Sequence, residues 1–91
     1  MTRIKVKKII WEKQNIEHIK KHSVTKEEVE IISQNFKYHE KTYGGRYLVV
    51  GRSGVRIISI IVRRLGTGTY YVVTARDSDR RERRKLYDKE N

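Results

Sequence analysis

The stretch Val55-Arg56-Ile57-Ile58-Ser59-Ile60-Ile61-Val62-Arg63-Arg64 decides the fold. Its centre is a β-branched run, apolar at odd and even positions alike and interrupted only by Ser59. Such a run suits a central strand with both faces covered. Turn signals bound it. Arg52-Ser53-Gly54-Val55 precedes it and Leu65-Gly66-Thr67-Gly68 follows. Residues 46–52 before the first turn read as a strand, as do residues 69–76, with Tyr70-Tyr71-Val72-Val73, after the second. Successive short turns imply an antiparallel meander. Tyr43-Gly44-Gly45-Arg46 is a further turn, and from Lys37 onward the pattern is already β.

Toward the N-terminus, residues 3–11 alternate Ile4 and Val6 with Lys5 and Lys7 and predict a short strand. Residues 12–22 predict a helix with a narrow stripe of Ile16 and Ile19. Thr25-Lys26-Glu27-Glu28 is a capping box, flanked by Val24 and Val29 at the spacing of a hydrophobic staple. It opens a second helix whose buried stripe is Val29, Ile32 and Phe36. Residues 79–89 close the chain as a third helix, with Asp79 as N-cap and Glu82 in its first turn. Leu86 and Tyr87 are its only apolar anchors. Short helices owe most of their stability to tertiary packing, so this one is expected to be mobile until a partner or a second copy of the chain fixes it. The reading is one α+β domain over residues 1–91. Its expected core is Ile57, Ile58, Ile60, Ile61, Val72, Val73, Val29, Ile32, Phe36 and Ile19.

The charge balance narrows the partners. Of 91 residues, 22 are Lys or Arg and 11 are Asp or Glu, a formal net charge of +11. Such an excess on a small domain points to a polyanion: nucleic acid first, an acidic protein second, an anionic membrane surface third. Residues 1–26 hold eight basic and two acidic side chains, whereas residues 76–91 hold seven and five. The arginine-rich end is therefore partly self-neutralised. No apolar run approaches the ~18 residues of a membrane span. Met1 is not followed by a basic cap and apolar stretch, so no signal peptide is expected. There is no cysteine, hence neither disulfide nor thiolate metal site. A cytoplasmic protein is expected.

Arg76 ends the last strand, and Arg80, Arg81, Arg83 and Arg84 follow within two helical turns. A guanidinium binds phosphate through two parallel hydrogen bonds and stays charged at any relevant pH. Arg80 and Arg84 share a helix face. His18 and His22 also stand four apart, but with only His39 to join them and no matching carboxylate, no metal or other cofactor is expected. His22 suits general acid–base work, because imidazole titrates near neutrality; a solvated histidine beside Lys20 and Lys21 is the plainer reading. Tyr43, Tyr47, Tyr70, Tyr71 and Tyr87 read as exposed, and interleaved with Arg46 and Arg52 some of them can stack on bases; half-buried sheet residues with a wet hydroxyl are the plainer reading of tyrosines at strand spacing. Gly44-Gly45 and Gly66-Thr67-Gly68 are not phosphate loops, since neither leads from a strand into a helix.

These blocks, taken in order, resemble BrnT-type toxins of the RelE/ParE-like superfamily. They are Trp11-Glu12, Asn15-Ile16-Glu17-His18-Ile19, Lys21-His22-Ser23-Val24-Thr25 and Glu27-Glu28-Val29, then Gly45-Arg46-Tyr47-Leu48-Val49-Val50-Gly51-Arg52. The most specific is Val73-Thr74-Ala75-Arg76 with Arg80-Arg81-Glu82-Arg83-Arg84 and Tyr87. The resemblance implies an antiparallel sheet flanked by helices, metal-independent endoribonuclease activity, and a small antitoxin, encoded nearby, that wraps the toxin. It places Arg76, Arg80 or Arg81, and Tyr87 in the family's arginine/tyrosine motif, Lys21 and His22 in its Lys-His motif, and Arg46 at the head of its strand. Three departures stand out. Ser23 replaces a common Gly, Tyr70-Tyr71 stand where an arginine often precedes the core of the last strand, and Asp77 and Asp79 bring acids beside the arginines.

The expected catalytic set is Arg76, Arg80, Arg81, His22 and Tyr87, with Lys21, Arg46, Arg52 and Arg84 binding RNA. Replacing Arg76 by Ala is expected to abolish cleavage and leave the fold intact. A non-catalytic nucleic-acid-binding or protein-interaction module with the same basic surface is the alternative.

Overall fold

The computed structural model describes residues 4–91. The expected strand start at Arg3 and the reading of the first residues lie outside that span. The elements are β1 (Lys8–Ile10), α1 (Lys13–Lys20), α2 (Lys26–Gln34), β2 (Phe36–Lys41), β3 (Arg46–Ser53), β4 (Arg56–Gly66), β5 (Thr69–Asp77) and α3 (Arg80–Glu90). One five-stranded sheet has the order β1-β5-β4-β3-β2.

β2 to β5 form the expected antiparallel meander. β1 is a correction: it is only three residues long and runs parallel to β5, with Ile9 opposite Tyr70. No hairpin fixes its direction, because the chain leaves β1 through α1 and α2 and returns to the sheet at the far edge.

The alternation of β4 separates two cores. Ile58, Ile60 and Val62 face α1 and α2, joined by Ile19, Val24, Val29, Ile32, Val49, Val72 and Ala75. Ile57 faces the other way, with Tyr38, Leu48, Val50 and Leu86 of α3, and Ile61 packs at the margin of this smaller cluster. The first half of the central strand is thus covered on both faces, as its sequence requires, whereas residues 63–66 are exposed. Ile61 and Val73 are only half-buried, because α3 lies chiefly over β2 and β3. Phe36 is also half-buried and opens β2 instead of extending the stripe of α2. Ile16 is likewise exposed, leaving Ile19 to anchor α1. Tyr47 and Tyr70, expected in solvent, are buried on the α1/α2 face with their rings packed edge to face, 6.4 Å between centroids.

Gly51 lets α2 approach. A Cβ there would stand 3.0 Å from the Ile32 side chain and 3.1 Å from the Phe36 backbone. The end of α1 is equally specific. Val24 N–H donates to the Ile19 carbonyl at 3.1 Å and Ser23 N–H to the Lys20 carbonyl at 2.9 Å. With Ser23 at φ 58° this is a Schellman closure, and Ile19 and Val24 make its apolar contact. Glycine is the usual residue at that position because it has no Cβ to clash in the left-handed region. The departure at Ser23 therefore sits where a Gly would be conformationally favoured.

Candidate functional site

The β5–α3 junction is organised by a carboxylate. Asp79 caps α3 by accepting from the Glu82 N–H at 2.8 Å, and Glu82 Oε1 accepts in return from the Asp79 N–H at 2.9 Å. The same Glu82 side chain takes two guanidinium hydrogen bonds from Arg76: Nη1 to Oε1 at 2.7 Å and Nη2 to Oε2 at 3.0 Å. Ser59 Oγ donates to Oε1 at 2.8 Å. With its proton committed there, Ser59 accepts from Ser78 Oγ at 2.7 Å. Burial alone would raise the Glu82 carboxyl. The donors from Arg76, Asp79 and Ser59 outweigh it and hold the group below the usual carboxylate range. Arg76 is the strand-end arginine that the sequence singles out, and its fork is engaged by a carboxylate of its own chain.

A second arginine ties the other candidate segment to the same end of the sheet. Arg56 Nε donates to Asp77 Oδ1 at 2.7 Å, Nη1 to the Ser23 carbonyl at 2.6 Å and to Glu28 Oε1 at 3.1 Å, and Nη2 to the His22 carbonyl at 3.3 Å. One side chain thus joins the α1–α2 turn, which carries Lys21 and His22, to the last residue of β5. Lys21 and His22 are exposed, and the His22 ring lies 5.7 Å from that of His18. Among the described residues, no group of three or more His, Cys, Asp or Glu is placed to hold a metal ion.

The remaining residues separate by environment. Arg80, Arg81 and Arg84 are exposed and form no ion pair among the described residues. Arg80, Arg84 and Tyr87 follow one another at helical spacing along α3. Tyr87 is half exposed, with the Arg52 guanidinium 5.7 Å from its ring centroid. Arg52 itself is held by Glu90 in a two-point pair of 2.7 and 3.0 Å. Arg46 heads β3 on the α3 side of the sheet, opposite Arg63 of β4.

The structure thus brings the His22 turn and the Arg76 junction to one end of the sheet. It sets Arg52 with Tyr87 near the far end of α3, and Arg46 at the opposite end of the strands. Sequence reasoning did not single out Arg56, Ser59 or Ser78, and took Glu82 only as a cap partner. Ser59 did carry a signal, as a lone hydroxyl in an apolar strand. Arg56 carried none, because its partners come from three distant segments.

No protein-family model and no curated protein matches the chain. Among solved structures it is similar to the crystal structure of the Brucella abortus ribonuclease toxin BrnT. Identity is 23%, the TM-score is 0.65, and the match covers 80% of this chain and 97% of that one. The likeness is one of fold. The α+β architecture of a BrnT-type toxin, expected from the motif blocks, is the architecture found.

Proposed function

We propose that this chain is a metal-independent endoribonuclease toxin, neutralised by a small cognate antitoxin and acting in the cytoplasm. One observation carries the reading. On a fold shared with a ribonuclease toxin, the Arg56 guanidinium holds the turn bearing Lys21 and His22 against the strand end that leads into the free arginines of α3.

RNA supplies its own nucleophile. The ribose 2′-oxygen attacks the adjacent phosphorus and loses its proton, the P–O5′ bond breaks, and the departing 5′-oxygen gains a proton. The products are a 2′,3′-cyclic phosphate and a 5′-hydroxyl. The protein must hold the phosphate in line, neutralise charge and move protons. Arg80 and Arg81, free of carboxylates, meet the phosphate. Arg76, fixed by Glu82, presents a preset charge beside them. His22 exchanges protons, and Lys21, Arg46, Arg84 and Tyr87 steer the strand. With a net charge of +11, a small acidic antitoxin has a complementary surface to cover.

The test is cleavage of single-stranded RNA by wild type and by Arg80→Ala, Arg81→Ala and His22→Ala, with EDTA present. Loss of about 100-fold or more in an arginine variant is expected for a transition-state donor. Wild type that cuts nothing, even with ribosomes added, overturns the reading. It would favour a non-catalytic nucleic-acid-binding module, for which the capture of Arg76 and Arg52 by carboxylates is the specific argument.

A further inference from the structure

The α3 side of the sheet is only half covered. Beyond the helix, three neighbouring strands align a cationic and aromatic row: Arg46 of β3 is opposite Arg63 of β4, and Arg63 is opposite Tyr71 of β5. The Arg63 guanidinium lies over the Tyr71 ring, 5.5 Å from its centroid. Arg63 is exposed, Arg46 and Tyr71 are half-buried, and neither arginine forms an ion pair among the described residues. The nearest carboxylate on this face of β2, Glu40, is paired with Lys85. Tyr71 differs in this from Tyr70, whose ring is buried on the opposite face.

We infer that Tyr71 and Arg63 form a stacking subsite for one unpaired nucleobase of single-stranded RNA, with Arg46 on the neighbouring phosphate. An aromatic face and a guanidinium plane are the two surfaces on which bases stack irrespective of sequence. The inference rests on the proposed RNA reading and extends it to a region away from the reacting end. Tyr71 and Arg76 are five positions apart on β5, roughly 16 Å at strand rise. The stacked base therefore lies a few nucleotides from the cleaved bond, and the subsite grips longer chains rather than the reacting dinucleotide.

The test separates binding from cleavage. The probe is a fluorescein-labelled oligoadenylate with 2′-O-methyl riboses, which has no 2′-hydroxyl to attack, and a matching chain of abasic sugars. Tyr71→Ala and Tyr71→Val are expected to bind oligoadenylate about 5- to 100-fold more weakly than wild type. Val keeps the strand preference and removes the ring. Tyr71→Phe is expected to bind as wild type does, and all four proteins should bind the abasic chain alike. The inference is overturned if Tyr71→Val equals wild type on oligoadenylate, if its loss is undiminished on the abasic chain, or if wild type does not prefer the chain with bases. Cleavage of unmodified RNA by wild type is read alongside. Cleavage without a Tyr71 effect on binding sinks the subsite and leaves the ribonuclease; base-dependent binding through Tyr71 without cleavage sinks the ribonuclease and leaves the subsite.

Discussion

Arg76 and Glu82 meet fork to fork across the junction of β5 and α3, at 2.7 and 3.0 Å, with the Glu82 side chain 11% exposed. The sequence expects Arg76→Ala to leave the fold intact, because Arg76 lies outside the apolar core. The pair changes that expectation. Removing Arg76 leaves a buried carboxylate with only the Ser59 and Asp79 donors; because the Arg76 side chain is itself 38% exposed, the cost falls below that of a fully buried pair, at about 1–3 kcal/mol. Arg76→Ala should therefore lower stability by about that amount, and Arg76→Ala with Glu82→Gln by less than the sum of the single changes. Urea denaturation of the four proteins measures this. Strict additivity would mean that the two side chains are not coupled.

The same network makes acid the weak side of this fold. The folded-state values of Glu82, Glu28 and Asp77 are all lowered: Glu82 against its burial, first by Arg76; Glu28 against its burial, first by the Thr25 N–H and then by Arg56; and Asp77 chiefly by its hydrogen bond from Arg56. Between the folded and unfolded values the unfolded chain binds more protons, so stability rises with pH in that window. The contribution is present above the unfolded values of about 4.3 for Glu and 3.9 for Asp, and is lost as pH falls through the folded ones. Asp77 adds least, since its side chain is 66% exposed and solvent screens the pair. Unfolding free energy measured from pH 6 down to pH 3 should fall below about pH 4.5, and less steeply in Glu82→Gln.

Local chemistry made the meander, both capping boxes and the two-sided burial of β4 legible in the sequence. Thr25–Glu28 and Asp79–Glu82 both close as read. The direction of β1 was not legible, because no turn residue encodes a parallel partner reached through two helices. Nor was the burial of Tyr47 and Tyr70, since strand parity places residues on a face without saying which face the helices cover. At the candidate site the residue types could be read but not their pairing. Arg76 and Glu82 are six apart across a cap, and Arg56 meets His22, Glu28 and Asp77 only in the folded chain.

Ser23 offers a test of backbone strain. It holds φ 58° at the end of α1, where its side chain makes no hydrogen bond to another described residue and only its backbone is used, the N–H by the Lys20 carbonyl and the carbonyl by Arg56. A left-handed conformation costs an L-residue about 1 kcal/mol or slightly more. Ser23→Gly removes that cost, less the greater freedom that glycine gives the unfolded chain. A small net gain, up to about 0.5 kcal/mol in chemical denaturation, is expected, whereas Ser23→Val should lose stability. A loss in Ser23→Gly would show that the turn is not strained.

The closing helix is held differently along its length. The sequence offers Leu86 and Tyr87 as anchors, yet only Leu86 is buried, at 0% exposure. The first two turns are fixed by buried contacts: the Glu82 network, and the Tyr38 hydroxyl donating to the Glu82 carbonyl at 3.2 Å. Beyond Leu86 the helix is held at the surface by the pair of Arg52 with Glu90. A surface pair of this kind contributes little and weakens as salt shortens the screening length. Hydrogen exchange in the free protein should therefore show two regimes. Amides over 83–86 should stay protected from low salt to about 1 M, where the screening length is near 3 Å. Those over 87–90 should lose protection with salt, and Glu90→Gln should already exchange at low salt as the parent does at high salt. Uniformly low protection over 83–90 at every salt concentration would instead mean that the buried network does not hold the helix and that a partner is needed to seat it.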